Sequence, residues 1–262
     1  MDIRSFLGDE NEKPLDRLIE GGGAVSIFPT IAVIGDSLSS GEFEVFDKEG
    51  NRQYLDYYEY SWGAQIGRIT GTRVKIFARG GMTAKEFIEI FGNKVAAFKA
   101  ENAANAYIIA LGVNDLINAR CECGSFDDIC MEDYTKNKHT FIGSYAAIIQ
   151  RIKKIQPDAK FFLVNFPAMT GRTEEKLKNT QIGNSIFDKM CRLFDNTYLI
   201  NLYEYGPSYD EEFRNKFFLN GHMNPLGYLL TARMIVSYID YIIRKNPTDF
   251  TYVGLMGSDY TI

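Results

Sequence analysis

The chain is 262 residues long, 45% apolar and 24% charged, enough to bury a sizeable core within one α/β domain. Its 29 basic and 34 acidic residues leave a net charge of −5 with no run of Lys and Arg interleaved with aromatics, so a nucleic-acid partner is not expected. No apolar stretch of about 18 residues stands out as a membrane span, and the opening MDIRSFLGDENEKPLDRL has acids where a secretory leader carries its apolar region; the expectation is a cytoplasmic protein that contacts no membrane.

In chain order, residues 1–25 are acidic and glycine-bearing and read as an N-terminal arm. A β-rich run at 31–34 follows, then a helical pattern at 62–69, a strand at 74–78, a helix at 84–99 and a strand at 107–111. Residues 118–139 read as a polar insertion. Beyond it come a helix at 141–155, a strand at 160–165, a helix at 174–193, a strand at 197–202 and a last helix at 225–244. This is β–α repeated five times. Runs such as YIIAL and FFLVNF, apolar on both faces, belong in a parallel sheet covered by helices on both sides. With no internal repeat and no Pro/Ser-rich linker, residues 1–262 are expected to form a single α/β domain.

The four cysteines are too few for a disulfide framework and would be thiols in a reducing compartment. Cys121, Cys123, Cys130 and His139 make C-x-C-x6-C-x8-H, four soft ligands without the C-x2-C spacing of common zinc modules. Small residues in an irregular insertion are the favoured reading over a metal site. His139 is read as solvated or capping rather than catalytic.

In an open parallel sheet, ligands sit outside the carboxyl ends of the strands. The first strand is followed there by Gly35, Asp36 and Ser37, the second by Arg79, Gly80, Gly81, Met82 and Thr83, the third by Gly112, Val113, Asn114 and Asp115. The last helix is preceded by FLNGHMNPLGY, with Asn224 placed as N-cap, Pro225 at the first helical position and His222 in the loop before them. These positions supply a hydroxyl, backbone N–H groups without side-chain bulk, a carboxamide and an imidazole. Acyl transfer needs that set: a nucleophile, a base and donors for an oxyanion.

The segments IGDSLSSGE, RGGMTA, LGVNDL and GHMNPLGY resemble the four blocks of the SGNH (GDSL) hydrolases, in the family's order over about residues 31–230. The resemblance implies a three-layer α/β/α fold like that of flavodoxin, with a five-stranded parallel sheet. It implies Ser37 as nucleophile, His222 as base, and an oxyanion hole made by the N–H groups of Ser37 and Gly81 and the side chain of Asn114. Gly80 is the alternative to Gly81, since the second block is aligned only through Thr83. No metal or organic cofactor is required by such chemistry. The chain departs from the pattern at Leu219, which stands three residues before His222 where the family has Asp. A Ser-His dyad is therefore expected, helped by a backbone carbonyl or by Asp210, Glu211 or Glu212 folded back from the preceding segment.

Asp36 and Asp115 are read as structural acceptors for loop N–H groups. The cluster YLDYYEYSW offers Tyr58 and Trp62 as substrate contacts, though such aromatics more often pack a cap or a subunit interface, which leaves a homo-oligomer open. There is no G-x-S-x-G elbow, P-loop or dinucleotide fingerprint. The expectation is a serine hydrolase of short-chain acyl esters, acetyl above all, on a small molecule or carbohydrate. Hydrolysis is not separable from acyl transfer at this level. The rival reading, prompted by Leu219, is a degenerate site that binds an acylated or glycan ligand without turning it over.

Overall fold

The computed structural model describes residues 3–260. Its strands in chain order are β1 (Thr30–Gly35), β2 (Glu42–Phe46), β3 (Arg52–Asp56), β4 (Arg73–Ala78), β5 (Ala106–Ala110), β6 (Lys160–Val164), β7 (Thr197–Ile200), β8 (Phe218–Leu219) and β9 (His222–Met223). Along β1, Ile31 and Val33 face one side of the sheet and Ala32 and Ile34 the other, all fully buried. In β5 and β6 the same alternation sends Tyr107, Ile109, Phe161 and Leu163 into one layer and Ala106, Ile108, Phe162 and Val164 into the other. Burying an Ile or Val side chain completely stabilises by roughly 1.5–3 kcal/mol, so strands with two apolar faces demand helices on both.

Those helices are present. Phe141–Ile155 and Glu174–Leu193 cover the face that carries Ala32 and Ile34, while Trp62–Thr70 and Pro225–Lys245 cover the face of Ile31 and Val33. The sheet is five-stranded, in the order β4-β1-β5-β6-β7, and every neighbouring pair is parallel. Counting only its own strands along the chain, this is 2-1-3-4-5, the doubly wound order of flavodoxin. The expected three-layer α/β/α fold is therefore the one observed. Connections diverge above the carboxyl ends of β1 and β5, which opens a crevice there.

The expected helix at 84–99 is interrupted. Ala84–Glu86 passes into a π turn at Phe87–Phe91 and back to α at Gly92–Lys94, and the chain then turns at Ala96, whose φ is +56°. The turn brings Ala97 and Phe98 into the core, with Phe98 packed on Gly92. Two further elements were not expected. β2 and β3 pair antiparallel as a separate ribbon, Glu42 opposite Asp56 and Phe46 opposite Arg52, and β8 and β9 form a two-residue hairpin that sets Leu219 opposite His222.

One expectation needs amending. The last helix, Pro225–Lys245, is long and apolar enough by composition to cross a membrane, but 72% of its apolar window is buried against the sheet and neighbouring helices. Its apolar character serves the core. Asn224 caps it as expected, accepting from the Gly227 N–H at 2.9 Å, with Pro225 at the first position.

The same helix anchors the N-terminal segment. Asp240 accepts from the Ala24 N–H at 2.8 Å, and Ser237 Oγ accepts from the Ile19 N–H at 2.9 Å. Arg244, almost wholly buried, pairs with Asp240 and with both oxygens of Glu12 at 2.8 Å and donates to the Leu7 carbonyl at 2.9 Å. Removing one member of a buried ion pair leaves the others charged and unpaired. Arg244→Met is therefore expected to lower the unfolding free energy by roughly 3–5 kcal/mol, read as a fall in the urea midpoint; an unchanged midpoint would mean the arm adds nothing to the fold.

Candidate active site

β1 ends at Gly35, where a side chain would collide with Ser39 Oγ, so the chain can fold straight over the strand end. Asp36 accepts from the Leu38 N–H at 3.2 Å and starts the short helix Ser37–Ser40, which Gly41 ends at φ +74°. Ser37 is thus the first residue of a helical turn. Its N–H has no acceptor within the described residues, and neither has that of Gly81, which follows β4 at φ +71°. β5 runs through Gly112 into a π turn at Val113–Ile117 that carries Asn114 and Asp115. Such turns place side chains that an α-helix would aim elsewhere.

Ser37, Gly81, Asn114 and His222 all line one cavity of about 630 Å³, together with Glu42, Tyr54, Asn118, Arg120 and Arg172. Residues of four separate segments are thereby brought together at the crevice. Asn114 is buried; its amide donates to the Met82 carbonyl at 3.1 Å and approaches Asp36 at 3.5 Å, while its oxygen accepts from Asn118 at 3.0 Å. Arg120 donates to the Gly81 carbonyl at 3.1 Å. The start of the insertion therefore braces both the glycine and the carboxamide. Asp115 accepts from the Ala84 N–H at 3.0 Å, so it and Asp36 serve as the loop acceptors expected of them. Burial pushes the Asp36 carboxyl up to about 6 and that of Asp115 up to about 7.

The surroundings of His222 differ from expectation. Its Nε2 lies 2.9 Å from Glu42 Oε1, and its Nδ1 lies 3.6 Å from Glu44 Oε2, too long for a hydrogen bond. Both glutamates are buried and stand on one face of β2, two residues apart. Glu44 also accepts from the Gly221 N–H at 2.9 Å and pairs with Arg52 Nε at 3.1 Å; the Asn220 side chain donates to its carbonyl at 2.8 Å. A Cβ on Gly80 would meet Glu42 Oε2 at 1.8 Å, so a side chain there would displace the Glu42 carboxylate.

Asp210, Glu211 and Glu212 are not the acids at His222. Asp210 caps the helix Glu211–Phe217, accepting from the Phe213 N–H at 2.9 Å, Glu212 pairs with Lys216, and all three face a separate surface groove. Their helix turns the carboxylates away from the hairpin. The signal for Glu42 and Glu44 is present in GEFEVF, acids alternating with apolar residues right after the Ser37 segment. Nothing in sequence spacing ties that segment to a histidine so far along the chain.

Of the two aromatic contacts expected, Trp62 is buried and lines a small cavity that shares Leu38, Val113, Phe166 and Pro167 with the cleft, whereas Tyr58 donates to the Ala78 carbonyl at 3.1 Å and does not line the cleft. Tyr54 of the same cluster does, edge-on to His222 with ring centroids 5.8 Å apart. His139 is exposed and contacts Glu89. Among the described residues no three of His, Cys, Asp and Glu converge as a metal site; Cys121 is nearest the His139 carbonyl and Cys130 faces Glu132. The insertion is organised instead by Asp128, which engages Lys138, Thr140 and the Ser125 N–H.

Comparison with known proteins follows this geometry. Residues 33–230 match the model of a family described as GDSL-like lipase/acylhydrolase. Comparison with curated proteins gives no match. Among solved structures, a family two carbohydrate esterase from Clostridium thermocellum, in complex with cellohexaose, superposes with a TM-score of 0.53 at 17% identity, covering 91% of this chain and 66% of that one. A family 2 carbohydrate esterase with a carbohydrate-binding domain from Corynascus thermopiles (Myceliophthora fergusii) gives 0.54 at 17% identity, covering 87% and 68%. A candidate SGNH hydrolase from Slackia heliotrinireducens gives 0.52 at 12% identity, covering 80% and 98%. At these identities the likeness is one of fold, and this chain spans just under two thirds of the Clostridium protein.

Burial disfavours a charged His222, but Glu42 and then Glu44 more than offset it, so the imidazole titrates above its ordinary value. The folded state then binds the proton more tightly than the unfolded chain. The stabilisation is full below the ordinary imidazole value and is lost as pH rises through the raised folded one. With only two histidines in the chain, NMR titration of the ring signals is expected to show His222 with the shifted midpoint and Glu42→Gln to bring that midpoint down. A midpoint unmoved by the substitution would remove Glu42 as the cause.

Proposed function

Because the chain belongs to the GDSL-like lipase/acylhydrolase family, we propose that it is a serine esterase in which Ser37 attacks the carbonyl of a short-chain ester and His222 moves the proton. The observation that carries this reading is the convergence of Ser37, Gly81, Asn114 and His222 on one cavity at the strand ends. In the resting arrangement Nε2 faces Glu42, so the ring first turns from that carboxylate to the Ser37 hydroxyl. As Oγ bonds to the carbonyl carbon, its proton passes to Nε2. The carbonyl oxygen takes the negative charge and is met by the unoccupied N–H groups of Ser37 and Gly81 and by the Asn114 amide hydrogen that would leave its long, 3.5 Å contact with Asp36. Collapse breaks the bond to the alcohol, which leaves with the proton from His222. Water then attacks the acyl-serine, His222 takes its proton and returns it to Oγ, and the acid departs.

Glu44 takes the part of the acid absent at Leu219. In the resting arrangement the Glu42 carboxylate holds the proton on Nε2; once the ring leaves Glu42 and Nδ1 closes on Glu44, that carboxylate would favour the tautomer with Nε2 free to accept and would steady the imidazolium. This acid removes the ground for a degenerate binding module. A short acyl group is supported by a second, small cavity of about 80 Å³ under the Ser37 helix, lined by Leu38, Val113, Phe166 and Pro167, which also border the main cleft. The carbohydrate esterases of the same fold make an acetylated sugar the substrate class we assign.

Hydrolysis of p-nitrophenyl acetate beside a longer-chain ester tests the reading. Ser37→Ala is expected to fall to background on both and to lose labelling by an organophosphonate. Glu44→Gln is expected to lower kcat/KM by on the order of 10²–10⁴ with Ser37 still labelled slowly, as when a triad acid is made an amide. Full activity in Ser37→Ala would end the proposal, and full activity in Glu44→Gln would end the part given to Glu44.

A further inference from the structure

Arg172 lies in the loop between β6 and the helix Glu174–Leu193, half-buried in the wall of the cleft. Its Nη1 donates to Thr180 Oγ1 at 3.0 Å and its Nη2 lies 2.6 Å from Met169 Sδ. Neither partner carries charge. Among the described residues no carboxylate stands within ion-pair distance of it, and the charge that acts on it is a like one, Arg214. A guanidinium does not give up its proton, so burying it without a counter-charge is unfavourable.

Arg120 also lines the cleft, and among the described residues its guanidinium makes one hydrogen bond, to the neutral Gly81 carbonyl, and has no carboxylate partner. Outside the cleft Arg17, Arg52, Arg79, Arg192 and Arg244 pair with acids, and of the arginines without an acid partner among the described residues Arg68, Arg73, Arg214 and Arg233 are solvent-exposed; Arg172 differs from these in being half-buried in the wall of a cavity. The acids that do line the cleft, Asp36 and Glu42, adjoin the nucleophile and His222. The cleft is therefore polarised, acidic at the reacting centre and basic along its wall. A planar guanidinium fork matches the paired oxygens of a carboxylate or phosphate.

We propose that the substrate of this cleft carries an anionic group, a carboxylate or a phosphate, that pairs with Arg172 while its ester lies at Ser37. The inference rests on the esterase reading for its kinetic arm only. Hydrolysis of 4-acetoxybenzoate and 4-acetoxyphenyl phosphate is compared with that of neutral phenyl acetate, each corrected for its hydroxide-catalysed rate. At least one anionic ester is expected to be preferred by about tenfold to a hundredfold in kcat/KM, the effect of a charge-assisted hydrogen bond. Arg172→Gln is expected to bring the ratio near one and Arg172→Lys to keep part of it. Which ester is preferred identifies carboxylate or phosphate.

The second arm needs no turnover. Calorimetry on Ser37→Ala is expected to show binding of 4-hydroxybenzoate or 4-hydroxyphenyl phosphate, loss of that binding in Ser37→Ala with Arg172→Gln, and weaker binding of 4-hydroxybenzamide. If no ester is hydrolysed yet the anion binds through Arg172, the esterase reading fails and the anion site stands. If esters are cleaved through Ser37 with an anion ratio untouched by Arg172→Gln, or no anion binds better than the amide, the anion site is overturned.

Discussion

The cleft depends on a charge problem solved by one imidazole. Glu42 and Glu44 are buried side by side on one face of β2, where two carboxylates would repel with little solvent to screen them. His222 lies against both, Arg52 reaches Glu44 from the neighbouring strand, and the Gly221 N–H supplies a further donor. The β8–β9 hairpin can carry the histidine to that point because Asn220 turns at φ +57° and Gly221 leaves room for the Glu44 carboxylate. The position of His222 is thus an outcome of satisfying the acids, and the acids in turn tie the ribbon of β2 and β3 to the hairpin.

The architecture was open to reading because its cause is local. Ile31 to Ile34 and Tyr107 to Leu111 are apolar on both faces, and that pattern has few stable uses other than a covered parallel sheet. Asn224 and Pro225 mark a helix start by rules that act over three or four residues. The strand-end segments that hold Ser37, Gly81 and Asn114 followed from the sheet, and the choice of those three, with Gly80 as alternative to Gly81, from the resemblance to the SGNH hydrolases; the structure brings Ser37, Gly80, Gly81 and Asn114 to one crevice.

What was not legible is what depends on contacts distant in sequence. Glu42 and Glu44 meet His222 only once the ribbon and the hairpin are both in place, and Asp210 to Glu212 were nearer choices along the chain that a capped helix turns aside. The aromatic cluster divides: Tyr58 turns to the Ala78 carbonyl, Trp62 is buried as the first residue of its helix and borders the small cavity beside the cleft, and Tyr54, one strand earlier, reaches the cleft itself. The insertion gave no sign that Asn118 and Arg120 would brace Asn114 and Gly81. Side-chain bonds of that kind leave no period in a sequence.

The acid proposed to orient His222 lies on β2, and that placement has an engineering consequence. Ser37 and Glu44 belong to one continuous segment, residues 37–44, whereas in the usual arrangement the acid travels with the histidine. The hairpin that bears His222 is consequently a cassette with a single functional passenger. It could be lengthened, shortened or exchanged with the acid left in position, so the reach of the base over the cleft can be retuned by loop grafting alone, provided the graft keeps a glycine where Gly221 lies against Glu44.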